Sequence, residues 1–129
     1  MEKIKVLVVF LFIFGCNQKP TEAFLIDKEI MKLHDEAMAN SANLLNLKND
    51  INLKSDSVID ITIKDSLQGI AFKLKKADKM MLDWMHQYKS PNLKSDTALN
   101  YLMKQLVKIK AVHEITFESI KEAKTILKK

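Results

Sequence analysis

Apolar residues recur at alternating steps of three and four along three long stretches of this 129-residue chain, the spacing of amphipathic helices that share a core. The first stripe is Ala23, Ile26, Ile30, Leu33, Ala37, Asn40, Leu44, Leu47 and Ile51; the second is Ile63, Leu67, Ile70, Leu74, Ala77, Met81, Trp84 and Tyr88. The third is Leu99, Leu102, Leu106, Ile109, His113, Thr116, Ile120, Ala123 and Leu127. Only two glycines and two prolines interrupt the chain, too few for the tight turns of a sandwich or barrel. The stripes predict an all-α, up-down-up antiparallel three-helix bundle with coiled-coil-like packing, its helices over about 22–51, 57–89 and 97–128.

The borders are read from turn and cap chemistry. Asn52-Leu53-Lys54-Ser55-Asp56 recurs as Asn92-Leu93-Lys94-Ser95-Asp96, and both copies fall between stripes. Ser and Asp favour helix N-caps, so each copy is expected to be a turn followed by a cap, with Pro91 strengthening the second break. Thr21 is placed to cap the first helix. Turns near residues 54 and 92 imply that facing residue numbers sum to about 108 between the first two helices and about 184 between the last two.

The N-terminus carries an address. Glu2, Lys3 and Lys5 precede the nine-residue apolar run Val6 to Phe14, which is too short to cross ~30 Å of hydrocarbon and suits a signal-peptide core. The run ends at Ile13-Phe14-Gly15-Cys16, which resembles a bacterial lipoprotein signal. Residues 1–15 would then be removed and Cys16 acylated, with residues 16–21 as a short tether and 22–129 as the bundle. Cys16 is the sole cysteine, so no intramolecular disulfide and no cysteine-rich zinc site can form. Cleavage lowers the net charge from +5 to +4. Asn17 stands where an inner-membrane retention aspartate would be, which points to a lipid anchor in the outer membrane, on an unassigned face.

His34-Asp35-Glu36-Ala37-Met38 and Asp83-Trp84-Met85-His86-Gln87-Tyr88 resemble the two signature stretches of a family of small Bacteroidota lipoproteins that carries the label "viral A-type inclusion protein". The resemblance covers the cysteine, the helical layout and both motifs. It implies an envelope address and a helical architecture, and no catalytic residues.

Chemistry-bearing motifs are sparse. No Gly-rich phosphate loop exists, and His34-Asp35 and His113-Glu114 each lack the second histidine of a helical zinc-protease motif. One carboxylate-x-x-His pair, Asp83 with His86, falls short of the two that a di-iron bundle uses. The chain is therefore expected not to be an enzyme and to need no cofactor. A rival reading is a metal or haem carrier built on Met31, His34, Met38, Met85 and His86, since thioether and imidazole suit soft metals and haem iron. The assumed register argues against one shared site, because it separates the two motifs by ~18 Å along the bundle. All 21 basic residues are lysine, so nucleic acid lacks its bidentate guanidinium forks and is not expected as a partner.

Three further expectations follow. Asn40, His113 and Thr116 occupy stripe positions and, with Gln68 at the same level, should form a polar core layer that fixes register. Ile61, Phe72, Val107 and Ile115 lie off the stripes and should stay exposed, as in an interaction module that binds an envelope protein or itself. Trp84 and Tyr88 should sit at the anchored end of the bundle beside Phe24 and Ile26, with Lys89 and Lys94 nearby and Ile51, Ile59 and the Lys128-Lys129 tail at the far end.

Overall fold

The computed structural model describes residues 21–129; the expected signal segment, Cys16 and the rest of the expected tether lie outside them. The described chain is all helical: α1 (Glu22–Met38), α2 (Ser41–Ser57), α3 (Ile61–Gln87) and α4 (Ala98–Leu127). α1 and α2 form one bent rod. α3 runs antiparallel to it, and α4 runs antiparallel to α3, which gives the expected up-down-up bundle.

The bend has a local cause. Asn40 Nδ2 donates to the Glu36 carbonyl at 3.0 Å, occupying the acceptor that the Asn40 amide would use in a continuous helix. That amide turns instead to the Ala37 carbonyl at 3.0 Å, a tighter i→i−3 bond. An asparagine side chain competing with the backbone ladder bends a helix in this way.

The first expected border is corrected. Asn52–Asp56 is not a turn: α2 continues through it to Ser57, because Ser55 follows Ile51 by four residues onto the core face and is 2% exposed. Lys54 Nζ, on the same turn, reaches the Ile126 carbonyl at 2.9 Å and satisfies one of the free acceptors at the end of α4. The real connection is Val58-Ile59-Asp60. Asp60 Oδ1 accepts from the Thr62 and Ile63 amides at 2.8 and 3.2 Å, so α3 starts at Ile61 rather than near 57. The second copy does form the expected turn: Asn92 Oδ1 accepts from the Lys94 amide, and the Ser95 amide donates to the Asn92 carbonyl. Thr97, the residue before α4, makes no side-chain cap.

The register differs from the expected one on both sides of α3. His34 packs against Trp84 with its ring tilted by 38°, so facing numbers in the first two rods sum to 118. Lys73 meets Glu122, which gives 195 for α3 and α4. Both sums exceed the expected ones by about ten residues, or roughly 15 Å of helix.

The core has two parts. Leu44, Leu47, Ile51, Leu67, Leu74 and Ile120 fill the end near the α2–α3 turn. Ile30, Met81, Trp84, Leu102, Ile109 and Val112 fill the end where α1 begins. Between them α4 presents Thr116 and Ser119, each 1% exposed and each bonded to carbonyls of its own helix. Each fully buried Leu or Ile contributes about 1.5–3 kcal/mol, so neither half is a minor one. Gly69 stands inside α3, where it weakens a helix by about 1 kcal/mol relative to alanine. A Cβ there would meet nothing within 4 Å, so its own chain does not require the glycine.

Candidate functional site

Because the register is shifted, the two signature stretches meet. The His34 ring lies 5.6 Å from that of Trp84, Trp84 stacks on Tyr88 at 4.7 Å, and Tyr88 approaches Tyr101 at 6.2 Å. Four rings from α1, α3 and α4 thus form a ladder at the end of the bundle where the chain emerges. Tyr88 Oη donates to Asp27 Oδ1 at 2.8 Å, and the Lys89 amide donates to Tyr101 Oη at 2.8 Å. The ladder ties the end of α3 to the start of α1. Stripe spacing does not single out Asp27 or Tyr101; a correct first turn would have placed Asp27 close to Tyr88.

Burial is the main reason that the Tyr88 hydroxyl is pushed far above its ordinary value near 10; its hydrogen bond to Asp27 and the Asp27 charge push the same way. Tyr88 is therefore neutral when folded and ionises more readily when unfolded. Its contribution is full below about pH 10 and is lost as pH rises toward the folded value. We expect the melting temperature to fall more steeply between about pH 9.5 and 11.5 in the parent protein than in Tyr88→Phe. Parallel slopes in the two proteins would show that the hydroxyl is not held this way.

The metal-site residues do not converge. Met31 and Met38 are half-buried against the core, and His34 sits against Trp84 with Nδ1 2.9 Å from Asp35 Oδ1. Met85 and His86 are exposed on α3. The expected separation of the two motifs is overturned, yet their soft ligands still point to different places. Among the described residues no three His, Cys, Asp or Glu side chains gather as a metal site.

The polar layer is also redrawn. Gln68 is exposed and lies far from Asn40, since the true register sets residue 68 near residue 50. Asn40 and Thr116 do lie near one level, because Glu36 meets His113 and the two register shifts nearly cancel. They do not bond each other: Asn40 serves the bend, and Thr116 Oγ1 donates to the Val112 carbonyl. His113 Nε2 instead reaches across to Glu36 Oε2 at 2.9 Å, and its ring packs tilted against Phe117 at 4.5 Å. The result is a cross-link from α1 to α4 beside the bend.

Of the off-stripe residues, Ile61, Phe72 and Val107 are 66–70% exposed, whereas Ile115 is half-buried against the core and leaves that group. Ile26 joins the core beside Trp84, but Phe24 faces out with Lys28 Nζ 5.0 Å above its ring. No described helix is long and apolar enough to cross a membrane. No protein-family model, curated protein or solved structure matches the chain.

Proposed function

We propose that this protein is a non-catalytic, lipid-anchored helical module of the cell envelope, held in the outer membrane through Cys16 and engaging another protein there. The observation that carries the reading is the placement of the sole cysteine directly after the apolar run Val6–Phe14 and Gly15. Acyl chains contribute about 0.8 kcal/mol per buried CH₂, so several on one residue give a stable anchor. The bundle supports it with a tethered end closed by the aromatic ladder and with large apolar side chains left on the outside. The tether from Cys16 to α1 is short enough to keep that end within ~20 Å of the anchor, at most ~3.5 Å per residue.

Fractionation tests the anchor. The parent chain is expected in the membrane fraction, incorporating radiolabelled palmitate. Cys16→Ser is expected to lose the label and to appear in the soluble fraction or as uncleaved precursor. Equal membrane retention of an unlabelled parent chain would remove the lipid anchor from the reading.

A further inference from the structure

Two clefts run along the face shared by α3 and α4. One is lined by Gly69, Lys76, Ile115 and Glu118, the other by Met80, Asp83, Lys108 and Ala111. They lie on one line, since on α3 the lining positions 69, 73, 76, 80, 83 and 87 repeat at steps of three and four, as do 108, 111, 115, 118 and 122 on α4. Such a line on each helix marks a continuous strip.

The strip has a sign pattern. Toward the α2–α3 turn, α3 presents Lys73 and Lys76 while α4 presents Glu118 and Glu122. In the middle stand Met80, Ala111 and Ile115. Toward the other end the signs invert, with Asp83 on α3 and Lys108 on α4. Lys73 pairs with Glu122 and Lys79 with Asp83. Lys76, Lys108 and Glu118 have no ion-pair partner among the described residues.

We infer that this face docks a second copy of the chain about a two-fold axis parallel to the helices, α3 of each copy lying over α4 of the other. Only that operator puts Lys76 over Glu118, Met80 over Ile115 and Asp83 toward Lys108 on both sides at once, as an isologous interface requires. The operator that reverses the helices would lay α3 on α3 and α4 on α4, leaving Lys76 opposite Met80 rather than Glu118, and would point the two tethered ends in opposite directions. The parallel axis also keeps both tethered ends on one side. Gly69 supplies an independent mark: its own chain has no use for a missing side chain there, whereas a second helix could approach closely. The strip spans roughly 30 Å by 20 Å, about 600 Å² per copy, which belongs to weak and reversible interfaces. Two anchors in one membrane would raise the effective concentration toward millimolar and populate such a pair.

The inference rests on the interaction-module reading above and names its partner. Its test uses the full, lipidated chain reconstituted in phosphatidylethanolamine/phosphatidylglycerol vesicles, where Cys16 carries no free thiol. Ala111→Cys with a short bismaleimide is expected to give at least five times more covalent dimer than Asn46→Cys, whose exposed side chain is on α2. In the Ala111→Cys background, Lys76→Glu or Glu118→Lys alone should lower the dimer at least fivefold, and the two together should restore it within about twofold. Far-UV circular dichroism checks that each variant keeps its helicity. Equal cross-linking at positions 46 and 111, indifference to single charge reversal, or failure of the double variant to recover would each overturn the pairing. A chain that does not join the vesicles defeats the anchor and leaves the face to be tested by sedimentation of the full chain in detergent at a few hundred micromolar. There the same charge variants should weaken and restore the dimer in the same way, and their failure to do so would overturn the pairing.

Discussion

Replacing Trp84 by alanine is expected to cost about 3–5 kcal/mol, a large part of the ~5–15 kcal/mol that holds a domain together. Trp84 is 5% exposed and lies between His34 and Tyr88, so truncation removes core volume and both ring contacts together. Trp84→Phe is expected to cost under about 2 kcal/mol, because an aromatic body remains to pack. The indole N–H finds no acceptor among the described residues, so its removal forfeits no hydrogen bond. Urea unfolding followed by far-UV circular dichroism gives the comparison, since this is the sole tryptophan and its fluorescence vanishes with it. A cost under about 1 kcal/mol for the alanine variant would contradict the position of the ring in the core.

Ile30→Ala and Ile51→Ala are each expected to cost about 2–5 kcal/mol, since both side chains are 0% exposed. They belong to different ends of the core, ~30 Å apart along the bent rod. Residues that far apart without shared partners add within about 0.5 kcal/mol. The double variant therefore loses about 4–10 kcal/mol and should be largely unfolded at 25 °C. Singles measured by urea titration, and the helicity of the double, test this. Coupling above about 1 kcal/mol would mean that the two halves act as one unit despite the polar waist at Thr116 and Ser119.

The stripes were legible because helical periodicity is a property of many residues at once. Ile30, Leu67, Leu74, Leu102 and Ile109 all landed in the core where their spacing put them. The loops were less legible because five residues do not determine their own conformation. Asn-Leu-Lys-Ser-Asp is helix at 52–56 and turn at 92–96. In the first copy Ser55 follows the buried spacing of Leu47 and Ile51, while in the second Pro91 breaks the ladder beforehand. That one misplaced turn moved the pairing of the first rod with α3, whereas α1 and α4 kept nearly the expected level because the α3–α4 register shifted by a similar amount. It hid the meeting of His34 with Trp84 and placed Gln68 beside Asn40. The cap that would have fixed it, Asp60, sits among the β-branched residues Val58, Ile59, Ile61, Thr62 and Ile63, a run that by propensity does not read as a helix start.

The topology also sets an order of assembly. α2 and α3 are joined by three residues, so their hairpin closes a short loop and its contacts are local. α1 packs chiefly on α4 and meets α3 mainly through the long side chains of the aromatic ladder, and the Glu36–His113 cross-link joins residues 77 positions apart. On a ribosome making the chain from its N-terminus, the hairpin can form as soon as α3 has emerged. The apolar face of α1 stays uncovered until the part of α4 up to about Ile115 has followed, so a helix made first waits for the one made last before its core side is closed.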